Sequence, residues 1–406
     1  GNDGRGLVTM REVVENSPRV VGYSCLKGIK GEIQNKKNAG KKKRQLLSQG
    51  EFYVVKFDKL SAQTCKLLKN YLSFPHNNKN FPPLFDHENK LLYATRWQLE
   101  HIASCEETQI GGFIEHVIEN PIDNFKRELF NVAYPHGKLH LGRRTHVMGI
   151  LNVTPDSFYN GKRYSTMENA INHALKMIEE GADIIDVGGE STRPSACPVS
   201  ENEELKRVIP LIKILSKQTR KPISIDTYKA SVAEKAIDAG ASIINDIGGL
   251  LMDKHMAKVA AKAKVPVIIM HKKGNPRTMQ KHPVRGNVLS EIKSALRKSV
   301  IHAIEAGIDE SKIILDPGIG FGKTLHQNLV ILKRLREFKS MGFPLLIGTS
   351  RKKFIGAILN RSTEELLYGT LATLAVAVMN GAHIVRVHDV REAVQVVKIC
   401  NAIVNS

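Results

Sequence analysis

The stretch ISIDTYKASVAEKAIDAGASIIND, residues 223–246, contains one complete structural repeat. Ile223–Asp226 is a short β-branched apolar run that ends on a carboxylate, as a buried strand does. Ala230–Ala239 then takes up a helical period. Gly240-Ala241 closes that helix, glycine being the residue that tolerates a left-handed C-cap. Ser242–Asp246 is the next apolar run, and it again ends in polar residues. A strand, a helix and a second strand within so few residues describe a parallel β/α/β unit.

The same rhythm extends in both directions from this repeat. Apolar runs at His146–Leu151, Asp183–Val187, Val265–His271, Lys312–Asp316, Pro344–Gly348 and His383–His388 join the two above to give eight predicted strands. Helical stretches follow at Met167–Glu180, Glu201–Lys217, Met252–Ala263, Val288–Ala306, Leu325–Phe338, Lys352–Met379 with a break near Asn360–Arg361, and Arg391–Val404. Ser165…Glu168, Ser200…Glu203 and Ser362…Glu365 have capping-box spacing. Gly181, Gly307 and Gly381 repeat the closing role of Gly240. Eight β/α units over residues 145–406 predict a TIM (β/α)8 barrel, α/β in class. The G-x-G-x-x-G fingerprint that an open doubly wound sheet often carries is absent.

Ahead of the barrel, residues 1–50 are polar, basic and glycine-bearing, and read as a flexible segment. Residues 51–140 read as a small α/β N-terminal domain of unassigned role, with strands at Phe52–Phe57 and Leu91–Ala94 and helices at Ser61–Leu72 and Arg96–Cys105. The chain has 60 basic and 40 acidic residues and a net charge of +20, shared between the two parts at +8 over residues 1–144 and +12 beyond them. Such a field favours anionic ligands. The densest run, Lys36–Arg44, has no interleaved aromatic residue and reads as a solvated linker before a nucleic-acid-binding arm. Five dispersed cysteines without a C-x-x-C pair exclude a disulfide scaffold and suit a reducing, cytoplasmic setting. The uncharged stretch Leu366–Ala382 is too short for a membrane span and reads as a buried helix. The start shows no signal-peptide pattern, and removal of a targeting segment before Gly1 stays open.

Barrel enzymes assemble their sites from the C-terminal ends of the strands. Here every end is polar. Asn152 follows the first strand and Gly188–Pro194 the second. The third and fourth end in Asp226 and Asn245. His271 and Asp316–Lys323 follow the fifth and sixth, Thr349–Lys352 the seventh, and Arg386–Asp389 the eighth. Lys352, Arg386 and His388 form a cationic group suited to phosphate, and Lys323 beside its glycines fits an anion site. Asp226, Asn245 and Asp316 are short-armed groups suited to the donors of a flat heterocycle. Taken singly, each also has a plainer reading as a helix cap, a turn residue or half of an ion pair with Asp389 or Glu392. Together they describe a site for a heterocycle carrying phosphate or pyrophosphate.

Met148–Phe158, Gly188–Pro194, Ser224–Tyr228, Ile244–Asp246, Asp316–Lys323, Ser350–Lys352 and Arg386–Val390, in this order, closely resemble the motifs of dihydropteroate synthase. The resemblance covers residues 145–404. It implies the joining of dihydropterin pyrophosphate to p-aminobenzoate with Mg2+ and release of pyrophosphate, in a homodimer. By this resemblance Asp226, Asn245, Asp316, Lys352 and Arg386 hold the pterin. Asn152, Arg386 and His388 hold the pyrophosphate, with Asn152 also meeting the metal. Thr192, Arg193 and Phe321 form the p-aminobenzoate pocket with Lys352. Lys352, Arg386, His388 and Arg193 carry the reaction, and no protein nucleophile is implied. The chain departs from the family pattern at Asn160, where an aspartate is usual, at Ser195, where glycine is usual, and at Lys272, where methionine is common. The N-terminal element loosely resembles an extension ahead of some bacterial members and shows no pterin pyrophosphokinase pattern. Two other readings are a pterin-binding barrel of the methyltetrahydrofolate methyltransferase kind, which needs no pyrophosphate site, and a non-catalytic pterin- or RNA-binding protein.

Overall fold

The computed structural model describes residues 19–24, 52–56, 84–86, 91–95, 124, 127–153, 163–190, 198–274 and 288–406. The chain divides into two compact units, with residues 128–336 and 343–406 forming the larger one. In the smaller unit, β1 (Arg19–Ser24), β2 (Phe52–Lys56), β3 (Leu84–Asp86) and β4 (Leu91–Thr95) form an antiparallel sheet of order β1-β2-β4-β3. β1 lies in the basic segment for which no element is expected from sequence. The helices expected at Ser61–Leu72 and Arg96–Cys105 lie outside the described residues.

The larger unit opens with an antiparallel hairpin, β5 (Phe130–Tyr134) and β6 (Gly137–Leu141). Eight parallel strands follow: β7 (His146–Asn152), β8 (Ile184–Gly188), β9 (Ile223–Asp226), β10 (Ile243–Asp246), β11 (Val267–Met270), β12 (Ile313–Asp316), β13 (Leu346–Ile347) and β14 (Ile384–Val387). Each pairs with its neighbour in chain order, and β14 returns to β7. A parallel bridge between Leu315 and Leu345 joins β12 to the start of β13 and closes the ring. The expected eight-stranded barrel is therefore present, with strand ends within two residues of the expected ones.

The outer layer is α1 (Arg163–Glu179), α2 (Glu201–Gln218), α3 (Ala230–Asp238), α4 (Met256–Ala263), α5 (Val288–Glu305), α6 (Leu325–Lys333), α7 (Lys353–Leu359), α8 (Leu367–Met379) and α9 (Val390–Val404). The expected break at Asn360 is real, and Asn360 takes a left-handed C-cap. α6 ends at Lys333, short of the expected Phe338, and a 3-10 segment follows at Leu335–Met341. The Ser362–Glu365 capping box starts a 3-10 turn and not α8, while Thr324 and Gln327 form an unforeseen capping box on α6. Leu366–Ala382 is only half a core element. Thr370 and Leu374 are buried, but Tyr368 is 82% exposed and Val376 and Met379 also face outward.

Strand side chains alternate between the barrel interior and the helices. The first inward layer is apolar: Met148, Ile184, Ile243, Ile268, Ile314, Leu346 and Ile384 form one cluster. The hairpin closes this end, contributing Phe130, Val132, Leu139 and Leu141 to the same cluster. Such a plug keeps water from the N-terminal mouth and leaves the opposite mouth open for a ligand. Leu141→Ala empties volume at this seam and is expected to cost about 3 kcal/mol in urea unfolding. A loss below about 1 kcal/mol would mean that the hairpin does not close the core.

Candidate active site

Two positions beyond four of the seven apolar layer residues, the inward side chain is polar: Ile184 leads to Asp186, Ile243 to Asn245, Ile314 to Asp316 and Ile384 to Arg386, while Asp226 ends β9. Met148 and Ile268 lead instead to Ile150 and Met270, so the C-terminal mouth carries polar groups beside apolar walls. A cavity of about 650 Å3 opens there, bounded by Asn152, Asn245, Asp316, Phe321, Lys352 and Arg386 among others.

Arg386 is the centre of these polar groups. Its Nε donates to Asp186 Oδ2 and its Nη2 to Asp226 Oδ2, each at 2.6 Å. Asn245 Nδ2 donates to the same Asp186 oxygen at 3.1 Å. The other oxygens, Oδ1 of Asp186 and Oδ1 of Asp226, are buried without a hydrogen-bond partner. Unsatisfied buried carboxylate oxygens are costly, and these two lie directly behind Arg386, which borders the cavity. Burial pushes the Asp226 carboxyl up to about 7; Arg386 opposes this and the Asp186 charge adds to it. Near neutral pH, Asp226 can both accept and donate.

Asp316 is buried beyond this cluster and accepts the Gly318 N–H at 2.7 Å. Burial raises its pKa as well, against that hydrogen bond and the pull of Lys352, Lys323 and Arg386. Gly318 has φ +67°, and a Cβ there would sit 1.8 Å from the His271 carbonyl oxygen, so only glycine fits this turn. Lys352 Nζ stands 4.2 Å from the centroid of the Phe321 ring, a cation–π contact that orients both. Burial and the neighbouring Arg386 lower its pKa to about 8, against the attraction of Asp316 and Asp226.

His388 is two residues beyond Arg386 and borders the same cavity, so the two share a face as the alternation requires. Its Nδ1 lies 2.9 Å from Ser350 Oγ. Asp389, which with Glu392 offered the plainer ion-pair reading of Arg386 and His388, pairs with Arg351, with Nη2 and Oδ1 2.5 Å apart. Asn152 ends β7 at the cavity edge. Lys272 turns toward Tyr228, with Nζ 5.8 Å from the ring centroid. Thr192, Arg193, Asn160 and Ser195 lie outside the described residues.

Two readings change. Lys323 is not free for an anion: its ammonium is buried and donates to the Gly318 and Phe321 carbonyls at 2.7 and 3.0 Å. Asp186 is a site residue that strand-end reasoning misses, because it lies inside β8. The signal was available, since a charged residue within a fully buried strand requires a partner.

Comparison with known proteins fits this geometry. Residues 148–388 match the family model described as pterin binding enzyme. The dihydropteroate synthase of Bacillus subtilis (strain 168) is 50% identical over 264 residues, spanning 64% of this chain and 90% of its own length. The chain belongs to the dihydropteroate synthase family of pterin-binding enzymes. Among solved members of the family, the Clostridium difficile enzyme crystallised with pteroic acid is 45% identical, with TM-score 0.63 and coverage of 66% of this chain and 99% of that one. The Xanthomonas albilineans enzyme with 4-aminobenzoic acid is 40% identical, with TM-score 0.62 and coverage of 66% and 96%.

Buried beside a guanidinium, Lys352 is expected to lose its proton below the usual lysine range, although Asp316 and Asp226 oppose the shift. Amine-reactive labelling of the ligand-free protein, followed by peptide mass spectrometry, is expected to show Lys352 half-reactive near pH 8. Half-reactivity above pH 10 would mean that the ammonium is solvated.

Proposed function

We propose that this chain condenses 6-hydroxymethyl-7,8-dihydropterin pyrophosphate with p-aminobenzoate, giving 7,8-dihydropteroate and pyrophosphate, the reaction that the family name describes. The observation that carries the reading is the Arg386 cluster. Arg386, which borders the cavity with Asn245, Asp316, Lys352 and His388, is held from behind by Asp186 and Asp226, each of which keeps one buried oxygen unpartnered.

The pterin edge presents N–H donors beside a ring nitrogen and a carbonyl. Asp186 or Asp226, Asp316 and Asn245 are of the right kind to accept and return those hydrogen bonds. Lys352 lies over one ring face, and Arg386 beneath it fixes the carboxyls. Asn152, Arg386 and His388, which border the same cavity, are of the right kind to meet the pyrophosphate. Asn152 offers one neutral oxygen, which fits magnesium bound mainly by substrate phosphate and water. When bound, that ion would neutralise the leaving pyrophosphate.

The bond from the exocyclic methylene carbon to oxygen breaks, and its electron pair leaves with pyrophosphate. The positive charge is delocalised into the pterin, above the carboxyls of Asp226 and Asp316. The amine of p-aminobenzoate forms the new C–N bond and gives its proton to water. The protein supplies position and charge, with no covalent intermediate on a side chain. Phe321 and Lys352 form the described side of the p-aminobenzoate pocket, and Thr192 and Arg193 belong to the same proposal.

Exposed apolar side chains on α7, α8 and α9 support a homodimer. Ile358, Tyr368, Met379, Ile399 and Ile403 all face outward, more than scattered surface residues require. No helix among the described residues is long and apolar enough to cross a membrane. Cys400, buried and free, suits the cytoplasmic setting included in this proposal.

Pyrophosphate release is expected to require both p-aminobenzoate and Mg2+ and to fall at least 100-fold in Lys352→Ala. Tight pterin binding without turnover would refute the synthase reading. Light scattering is expected to give the mass of two chains for the wild type and of one chain for Tyr368→Asp; a wild-type monomer would refute the dimer.

A further inference from the structure

Lys323 is buried, 2% exposed, and the reaction above gives it no part. Besides the Gly318 and Phe321 carbonyls, at 2.7 and 3.0 Å, its Nζ lies 3.0 Å from His271 Nδ1 and 3.4 Å from the His271 carbonyl oxygen. An ammonium has three N–H bonds and accepts nothing. The three near acceptors match the three N–H bonds of charged Lys323, although burial lowers its pKa to about 7. Burial and the charges of Lys323 and Lys273 hold the His271 imidazole neutral, its pKa well below the usual histidine range.

One nitrogen thus ties both ends of the Gly318–Phe321 turn to the residue that follows β11. The turn is also closed by its own hydrogen bond, from Phe321 N–H to the Gly318 carbonyl at 3.1 Å. Phe321 carries the ring over which Lys352 stands. Between its ends, Gly320 passes so close to the Lys352 stem that a Cβ there would meet Cδ at 3.1 Å.

We propose that Lys323 is a positioning residue for the second substrate: it pins the Gly318–Phe321 turn so that Phe321 and Lys352 form a fixed wall for p-aminobenzoate. This rests on the function proposed above. A lysine that merely stabilised the fold would affect both substrates and turnover alike. A pin acting through Phe321 affects the p-aminobenzoate side more than the pterin side, which Asp316 and Lys352 hold through further contacts.

The test is steady-state kinetics of the full chain with each substrate varied, for wild type, Lys323→Met, Lys323→Gln, Phe321→Ala and the Lys323→Met/Phe321→Ala double variant. Lys323→Met is expected to raise the KM for p-aminobenzoate at least tenfold, with kcat and the KM for the pterin substrate within threefold of wild type. Lys323→Gln keeps N–H donors for the carbonyls and is expected to fall between the two; it carries the test should the methionine variant not fold. The double variant is expected to be no more than twofold worse than Phe321→Ala, because both changes act through one ring. Wild-type KM values in both Lys323 variants, equal losses for both substrates, or single effects that multiply in the double variant would overturn the proposal. Absence of p-aminobenzoate-dependent turnover in the wild type would instead refute the reaction itself.

Discussion

A guanidinium placed inside a barrel cannot remain there without carboxylates, and Arg386 is held by two. Charge burial of this kind contributes little net stability, because desolvation offsets most of the attraction. What it does is fix geometry. Asp186 and Asp226 each give one oxygen to Arg386 and keep the other aimed at no protein group. The pair of free oxygens and the place of the Asn245 amide follow from that arrangement, while burial raises the pKa of Asp226 against the pull of Arg386. The cavity floor is in this sense a charge-balanced unit, and the ligand completes it.

The rest of the mouth is arranged around the same balance. Asp316 stands opposite Lys352, and burial pushes their pKa values toward each other, the acid up and the base down. Such pairs hold little net charge until a ligand with its own charge arrives. The apolar ring beneath, closed by the β5–β6 hairpin, keeps water from reaching these groups through the N-terminal end of the barrel. A wet floor would screen the charges and satisfy the free oxygens with water.

Much of this was legible in the sequence because the barrel repeats one unit eight times. The stretch at residues 223–246 reads as strand, helix and strand, and the same spacing locates Asp226, Asn245, Asp316, Arg386 and His388 at strand ends; the fold brings the last four to one cavity and ties Asp226 to it through Arg386. Asp186 escaped because it sits within an apolar run, where a period of two had to be followed through the strand to see it. Lys323 was misread for a different reason: whether a lysine beside a glycine-rich turn reaches outward or folds back onto carbonyls depends on the turn's path, which residue types alone do not fix. Arg351 taking Asp389 from Arg386 has the same origin. It is a choice between neighbours in space, not in sequence.

The central claim is that Arg386 and its carboxyls act on the pterin as one unit. Calorimetric titration of a pterin ligand into Arg386→Met, Asp226→Asn and the double variant tests it most directly. The account predicts that each single change weakens binding by more than tenfold and that the double variant binds about as well as the weaker single one. Losses that multiply in the double variant would mean that the two residues meet the ligand independently, and the unit described here would not exist.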